Sequence, residues 1–238
     1  MKFEKKNVNL TKNTFMKKLL LASPIILGST FLNAFAEENN RTYLSIGGGA
    51  AFPADVEGKS SLVDTKTLKF PTNTSGLYTL GIGYKYYDWR VEFNYSKSTV
   101  HSDSVKITNA AGTAITGSSV PNFKQNINSY MAFGYKDFTN ESKLTPYAGV
   151  GLGMASISTK NLKTSIVGAS NTAGDDVSVF SFAVKGGFDY EIVENTSLYT
   201  ELTYQNFSSY DAKESGKATV SYEANNHFAV TTGLKFSF

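Results

Sequence analysis

The amino-acid sequence predicts an all-β fold, an eight-stranded antiparallel up-and-down transmembrane β-barrel with short periplasmic turns and long extracellular loops. Three observations predict it. Eight segments carry an apolar, aromatic-rich face and a small, polar or charged face, because side chains of a strand alternate with period two. The links between these segments are alternately short and long, as expected for a barrel that crosses a membrane. The last segment, His227–Phe238, ends on an aromatic residue.

The first part of the chain has the organisation of a secretory signal peptide. A basic start is followed by the apolar run Leu19–Phe35, which a proline and several polar residues interrupt. A spanning helix needs about 20 consecutive apolar residues, so this run is too broken to be one. Ala34 and Ala36 form a small-residue exit, and cleavage is expected after Ala36. We predict a signal peptide over residues 1–36, with Met16 as an alternative start, and a barrel domain over residues 37–238.

Composition restricts the possible partners. The chain has no cysteine, so neither a disulfide framework nor a lipid-anchored cysteine is expected. Removal of residues 1–36 takes away six lysines and one glutamate, which leaves 17 basic and 19 acidic residues. A chain with this slight acidic excess lacks the basic surface that holds nucleic acid. We therefore expect no nucleic-acid partner, and no motif indicates a cofactor.

Each predicted strand is close to the roughly 9–11 residues that a tilted transmembrane strand needs. The strands are Thr42–Phe52, Leu77–Tyr87, Trp89–Thr99, Asn126–Phe138, Thr145–Ala155, Val177–Tyr190, Ser197–Phe207 and His227–Phe238. On each strand we expect the face with the larger apolar side chains to contact lipid. In the fourth strand this predicted lipid face consists of Ile127, Met131, Phe133 and Tyr135.

The predicted connections fall into two groups. The short ones are Tyr87-Asp88, Asp137–Leu144 and Glu191–Thr196, and they lie at one end of the barrel. The long, polar ones are Pro53–Gly76, Val100–Gln125, Ser156–Asp176 and Ser208–Ser221. Loops of this length count against a compact soluble domain. Their acidic residues either keep the loops solvated, which we favour, or bind a divalent cation; they are Asp55, Glu57, Asp64, Asp103, Asp175 and Asp176.

A weak repeat closes every second strand with a glycine, a hydrophobic residue and a charged residue. It occurs at Gly83–Lys85, Gly134–Lys136, Gly187–Asp189 and Gly233–Lys235. We expect the hydrophobic residue to face lipid at the level of the aromatic girdle. The glycine would then face inward, where it leaves room for larger neighbours.

Charged residues alternate with the apolar face and predict an interior charge network. They are Lys85, Arg90, Glu92, Lys185, Asp189, Glu201 and Lys235. A cation on the lipid face near the midplane costs about 2–4 kcal/mol, so these residues must point inward. The interior of an eight-stranded barrel is just wide enough for side chains to fill. We expect ion pairs there, without knowing which partners meet; a narrow solute path and a soluble sandwich with a wet charged face are the alternatives.

Several segments resemble the small porin-family outer-membrane β-barrel proteins, of the OmpA membrane-domain type and the opacity-like surface proteins. They are Tyr147–Gly153, Gly186–Tyr190, Leu202–Tyr204 and Gly233–Phe238, together with the Ala34–Ala36 exit. The resemblance implies a location in the bacterial cell outer membrane and a surface antigen that acts in adhesion, envelope integrity or minor permeability. It also implies that Leu234, Phe236 and Phe238 form the signal read by the barrel-insertion machinery. Because the chain ends at the predicted barrel, we expect no peptidoglycan-binding domain.

The function that we predict is a non-enzymatic outer-membrane surface protein whose loops serve adhesion or envelope interaction. The implied partners are outer-membrane lipid or lipopolysaccharide, the insertion machinery, and a host or cell-surface ligand held by the loops. The alternative is a narrow porin-like channel for small solutes. An enzyme at the barrel rim would need a histidine with partners, and only His101 and His227 exist. Two histidines also make a transition-metal site improbable.

Overall fold

The computed structural model describes residues 40–60, 67–108, 114–160, 162–164, 169–172, 176–213 and 219–238. The predicted signal peptide, including Ala34 and Ala36, therefore lies outside the described residues. So do Asp64 and Asp175 of the predicted acidic loops. Within the described ranges, no helix is long and apolar enough to span a membrane.

Eight long antiparallel strands form a closed barrel. They are β1 (Asn40–Pro53), β4 (Ser75–Tyr86), β5 (Trp89–Thr108), β6 (Ala114–Asp137), β7 (Leu144–Lys160), β10 (Val177–Val193), β11 (Thr196–Phe207) and β14 (Asn225–Ser237). Each strand pairs with the next, and β1 pairs with β14 to close the sheet. All eight predicted strands are confirmed, and so is the up-and-down order.

Short turns join the barrel strands at one end. The β4–β5 turn consists of Tyr87 and Asp88, and the β10–β11 turn of Glu194 and Asn195. Tyr87 and Asn195 have φ angles of 53° and 62°, in the left-handed region that a tight turn requires. The predicted chain reversal at Tyr87-Asp88 is thus confirmed, and the barrel has a short-turn end and a long-loop end.

The long-loop end is more ordered than the sequence indicated. It contains the strands β2 (Val56–Ser60), β3 (Thr67–Phe70), β8 (Leu162–Thr164), β9 (Ala169–Thr172), β12 (Tyr210–Lys213) and β13 (Thr219–Tyr222). β5 and β6 also continue as a paired ribbon beyond the barrel wall. The prediction of Val100–Gln125 as a loop is therefore wrong for most of its length. Ser- and Thr-rich strands lack the aromatic face that marks the wall, so their alternation was not recognised.

Several of these strands form one surface, which we call the outer sheet. Its order is β12, β13, β2 and β3, and β3 joins the extension of β5. Its inner face is apolar, with Val56, Phe70 and Val220 almost completely buried. Val56 and Tyr222 line the same small cavity as Ile157 of the barrel. The outer sheet therefore covers the mouth of the barrel.

The outward face of the barrel is apolar on seven strands, as predicted. On β4, for example, Tyr78 and Ile82 are exposed while Thr79 is buried. β6 is the exception, and its predicted lipid face is wrong. Met131, Phe133 and Tyr135 are 2%, 4% and 2% exposed and point into the lumen.

The reason for the reversed face of β6 is its neighbour β7. The inward positions of β7 are Gly149, Gly151 and Gly153, which have no side chains to fill the interior. Phe133 lies directly opposite Gly151, and Tyr135 directly opposite Gly149. A Cβ atom at either glycine would overlap the ring beside it.

The reversal also places Gly134 on the outside, where a Cβ would meet nothing, so the expectation of an inward glycine fails for this repeat. It holds at Gly83, Gly187 and Gly233, which abut interior tyrosine rings.

Candidate functional site

The interior next to the short turns, which we call the lower lumen, contains a chain of alternating charges. Lys85 Nζ lies 2.8 Å from Asp137 Oδ2, and Arg90 Nε lies 2.8 Å from Asp137 Oδ1. Arg90 Nη1 is 3.2 Å from Asp189 Oδ2, and Lys235 Nζ is 2.7 Å from the same oxygen. Two aspartates thus hold three cations in one connected network.

A second group lies one level further from the short turns. Lys185 Nζ is 2.9 Å from Glu201 Oε1, and Tyr147 donates a hydrogen bond of 3.2 Å to Glu201. Glu92 accepts hydrogen bonds from Asn94 and Tyr135, at 3.1 and 3.3 Å. Among the described residues Glu92 forms no ion pair, so it joins the network through neutral donors.

Sequence reasoning missed Asp137, which is 1% exposed and lies at the end of β6. The predicted set had four cations and three carboxylates. With Asp137 the lower lumen has equal numbers of each, so its charges balance within the described residues. The alternation of β6 was the available signal, because Asp137 follows Phe133 and Tyr135 on the same face.

Aromatic rings surround these cations. The Arg90 guanidinium lies 4.4 Å from the ring centre of Tyr147 and 4.9 Å from that of Tyr135. Lys185 Nζ lies 4.2 Å from the ring centre of Phe133. Cation–π contacts of this kind gain strength where water is excluded. The inverted face of β6 therefore supplies partners for the charges as well as volume.

The interior nearer the long-loop end, which we call the upper lumen, is filled in a different way. A cluster of buried apolar side chains packs across it: Val100, Ile127, Ala155, Ile157, Val179 and Phe207. Below this cluster, Gln205 donates hydrogen bonds to Ser129 and Ser181 at 3.2 and 2.9 Å. Side chains from opposite walls thus meet, and the upper lumen is closed.

Little empty space remains along this interior. The cavity beside Glu92 has a volume of about 10 Å³, and the one beside Phe207 about 20 Å³. One water molecule needs roughly 10–15 Å³ of such volume. At the short-turn end a basin of about 430 Å³ is open, and its floor includes Arg90 and Asp137. The described part of the lumen therefore offers no continuous path for a solute.

The terminal strand β14 presents the predicted insertion residues to the outside. Leu234, Phe236 and Phe238 are all exposed on the wall. Leu234 lies opposite Ile46 of β1, and Phe236 lies opposite Leu44. The Phe238 amide donates a hydrogen bond of 2.8 Å to the carbonyl of Thr42. The end of the chain is thus paired into the seam of the barrel.

The outer sheet turns a charged face away from the barrel. Lys59 lies 3.3 Å from Glu223, and Lys69 lies 2.9 Å from Glu57 and 3.4 Å from Asp55. The Glu57 carboxylate raises the pKa of Lys69 above its ordinary value. Two of the loop carboxylates, Asp55 and Glu57, are thus paired with Lys69 in the described part of the outer sheet. Within the described residues, no group of three or more acidic residues or histidines could hold a metal ion.

A hollow of about 300 Å³ lies at the edge of the outer sheet. The residues around it include Tyr210, Tyr222, Lys59, Asp211 and Glu223. The two rings stack with their centres 4.9 Å apart. Tyr210 also accepts a hydrogen bond of 3.2 Å from Gln125, and burial raises its pKa above the ordinary value. Because Tyr222 is only 2% exposed, the hollow presents mainly the charged side chains of Lys59, Asp211 and Glu223.

The two histidines are separated by the barrel wall. His227 is buried in the upper lumen, where its ring lies 5.0 Å from that of Phe207. His101 is exposed on β5, directly opposite Lys124 of β6. A catalytic triad needs its members to meet in space. The described residues do not assemble one around either histidine.

Comparison with known proteins agrees with this architecture. A "Putative adhesin" of Rickettsia massiliae (strain Mtu5) is 31% identical over 195 residues, which cover 79% of this chain and 82% of that protein. A "Putative adhesin" of Rickettsia akari (strain Hartford) is 28% identical over 227 residues, covering 93% and 94%. The outer membrane protein OprG from Pseudomonas aeruginosa has a similar fold, with a TM-score of 0.62 at 17% identity and coverage of 84% and 96%.

The family described as "Outer membrane protein beta-barrel domain" matches residues 23–237. This match covers most of the chain and includes all eight barrel strands. It also assigns the two ends of the barrel, because short turns of such proteins face the periplasm and longer loops face outward. The protein therefore belongs to the outer membrane protein beta-barrel domain family and is located in the bacterial outer membrane.

Proposed function

We propose that this protein is a non-enzymatic surface protein that mediates adhesion to a host or another cell surface through its outer sheet. The observation that carries the proposal is the outer sheet itself. Four short strands from two separate long connections join the extension of β5 in one continuous sheet that is anchored on a rigid barrel. Exposed surfaces on rigid scaffolds are where binding residues are usually found.

Two further observations support adhesion over transport. The lumen cavities of about 10 and 20 Å³ are too small for a solute to pass. The proposal also agrees with the names of the two rickettsial relatives, both "Putative adhesin". The narrow porin-like channel that the sequence left open has no comparable support, and a planar bilayer containing the purified protein should stay silent.

The hollow at Tyr210 is the part of the outer sheet most suited to hold a ligand. It offers Lys59, Asp211 and Glu223, which can form hydrogen bonds to polar groups. Glu223 and Lys59 are 55% and 65% exposed, so a partner can reach them without unfolding the sheet. We expect a polar surface ligand, and the inner face of the sheet would take no part in binding.

Adhesion can be tested in a non-adherent bacterial strain that displays the protein in its outer membrane. The triple variant Lys59→Gln, Asp211→Asn, Glu223→Gln should lose most of the attachment to cultured cells. A matched control, Glu191→Gln with Lys143→Gln, changes charges of the periplasmic basin and should attach like the unchanged protein. Both variants should retain heat-modifiable gel mobility. Full attachment by the triple variant would refute the assignment to this face.

The structure also limits which deletions are informative. Removal of Val100–Gln125 would take away Val100, which belongs to the apolar cluster, and Gln125, which bonds Tyr210. Loss of binding in such a deletion would therefore mix loss of fold with loss of contact. Substitutions on the exposed face avoid this difficulty.

We propose that the terminal strand serves as the signal for the barrel-insertion machinery. Its support is the outward row of Leu234, Phe236 and Phe238 along the strand that closes the barrel against β1. The variant Phe238→Ser should assemble poorly in cells but refold normally in detergent. Equal assembly of Phe238→Ser and the unchanged protein in cells would contradict this role.

A further inference from the structure

The reversed face of β6 leaves a concavity in the described part of the lipid-facing wall. A groove of about 930 Å³ is centred on β6 and extends across β5 and β7 as far as Ile82 and Tyr84 on β4 and Phe182 and Val184 on β10. Its floor is Ala132 and Gly134, and its inner sides are Val91 and Phe93 on β5 and Val150 and Leu152 on β7. Because adjacent strands lie about 4.8 Å apart, the two sides stand about 10 Å from each other. A single hydrocarbon chain can lie between them.

An aromatic pair borders the groove on the side of the cell exterior. The rings of Tyr95 and Tyr130 lie 5.3 Å apart, and the Tyr95 hydroxyl donates a hydrogen bond of 3.0 Å to Asn128. Aromatic rings at this height mark the membrane interface of a barrel. Immediately beyond them the outward side chains become polar, with Thr99 donating a hydrogen bond of 3.1 Å to Asn126.

Cations occupy the same strands above the aromatic pair. Lys97 lies opposite Asn128, and Lys124 lies opposite His101. None of the ion pairs among the described residues includes Lys97 or Lys124. The outward positions of β5 from Trp89 to His101 include no carboxylate, and neither do those of β6 from Lys124 to Lys136. Asp103 lies further out and accepts a hydrogen bond of 3.2 Å from Asn73. Among the described residues, Lys97 and Lys124 thus form a basic patch without an ion pair.

The basic patch lies directly above the groove on the same strands. Lys97 and Phe93 are on the same strand and four residues apart, which corresponds to about 13 Å. We propose that this side of the wall holds one phosphorylated, acylated lipid of the outer leaflet. Its phosphate contacts Lys97 and Lys124, and one of its acyl chains lies in the groove over Ala132 and Gly134. The site does not depend on the proposed adhesion, because it uses none of the outer-sheet residues.

Charge complementarity is the argument for this occupant. A second protein copy would bring a hydrophobic face to the groove but would have to neutralise two lysines at the interface. A phosphate headgroup does so directly, and each lysine near an anionic lipid surface strengthens binding. On the opposite wall the outward residues at this height include Asn206 and Asn226, which are uncharged. The lipid should therefore prefer the β5–β7 side.

The test uses purified full-length protein in a neutral detergent with bisphosphorylated lipid A as the probe and native mass spectrometry as the readout. The unchanged protein should retain one lipid A. Lys97→Gln and Lys124→Gln should each weaken retention by about fivefold. Gly134→Leu fills the groove and should also weaken it, with Ala132→Leu as a second variant if the first fails to fold. Gly186→Leu is the matched control, because Gly186 faces outward into open space but does not line the groove. Lys59→Gln controls for the loss of a lysine elsewhere.

Three results would overturn the proposal. The first is equal retention of lipid A by the unchanged protein, by the two lysine variants and by the groove variants. The second is equal retention of lipid A from which both phosphates have been removed. The third is displacement of lipid A by an equal concentration of inorganic phosphate, which would indicate a site for the free ion. Adhesion of the displayed protein should be unchanged in Gly134→Leu, which separates this site from the outer sheet.

Discussion

The two halves of the lumen are built from the same eight strands but are closed by different forces. In the lower lumen, Asp137 and Asp189 each bind two cations. In the upper lumen, Val100, Ile157 and Phe207 pack without any charge. The ionic half depends on the presence of every partner, because an unpaired buried charge is costly. The apolar half depends on volume, and a small loss of volume leaves most contacts in place.

The two halves of the lumen also differ in whether they contact the outer sheet. Neither half leaves room for a solute, yet only the upper lumen continues into the outer sheet, through Val56 and Tyr222. Apolar packing there lets one surface seal the barrel and support the exposed face above it. The lower lumen instead faces the periplasmic basin, where charges can tolerate water.

The largest effect should come from breaking the ionic half. Asp137→Ala leaves Lys85 without its partner and Arg90 with only Asp189. We expect a loss of about 3 kcal/mol in the free energy of unfolding, because the buried Arg90 loses one of its two carboxylate partners and the partly exposed Lys85 loses its own. Urea unfolding in lipid vesicles, followed by the fluorescence of Trp89, the single tryptophan, measures it. The control Glu223→Ala removes an exposed pair and should cost at most about 1 kcal/mol. Similar losses for both would mean that the lower lumen is not desolvated.

A smaller effect is expected where the two halves meet. Gly151→Ala places a methyl group against the ring of Phe133. Overpacking of this kind costs about 1–3 kcal/mol in the free energy of unfolding. Phe133→Leu in the same chain should recover part of the loss, and the coupling in a double-mutant cycle would show it. Gly186→Ala, which faces open space, serves as the control. Strict additivity of the two substitutions would contradict the contact.

The apolar half should respond more mildly to a conservative change. Ile157→Val removes one methylene group from the upper cluster, and we expect a loss of about 0.5–1.5 kcal/mol in unfolding free energy. The loss should be the same at low and high salt, whereas that of Asp137→Ala should vary. Ile192→Val is the matched control, since Ile192 is exposed on the wall. A marked salt dependence for Ile157→Val would contradict the statement that the upper lumen is held together without charges.

The smallest effect concerns the turn outside the lumen. A hydrogen bond from Thr139 and the nearby Lys136 lower the pKa of Asp88 below its ordinary value of 3.8. Because the folded-state pKa is depressed, the stabilisation is present above the unfolded value and is lost as the pH falls through the folded one. The wild type should therefore exceed Asp88→Asn slightly in urea midpoint at neutral pH, and the difference should disappear only when the pH falls below the folded-state pKa, which lies below 3.8. A difference that persists in acid would exclude this origin.

The strands themselves could be predicted because each wall strand has to satisfy lipid on one side and a crowded interior on the other. The face of β6 could not be predicted from β6 alone, since both of its faces contain aromatic residues. The decisive information was the run of glycines at 149, 151 and 153 on the neighbouring strand. The correct inward face of β6 also includes Asp137. The wrong lipid face and the omission of Asp137 from the interior charges therefore have one cause.

The outer sheet was missed for a different reason. Its strands are four or five residues long and rich in serine, threonine and lysine. Their pairing joins segments that are far apart in the chain, such as Gly58 with Tyr222. No local pattern encodes such a pairing, because it depends on the barrel first bringing the two connections together. The candidate adhesion face therefore required the three-dimensional structure.

The seam between β1 and β14 sets the order in which this molecule can be made. Tyr43 near the start of the barrel pairs with Ser237 near its end, so this edge of the first strand can pair only after the last strand is present. Pairing across such a sequence separation is slow, because the entropy of closing the ring must be overcome first. Until then β1 has an unpaired edge, which is a site of aggregation. A newly exported chain thus needs protection along the whole interval between its first and last strands.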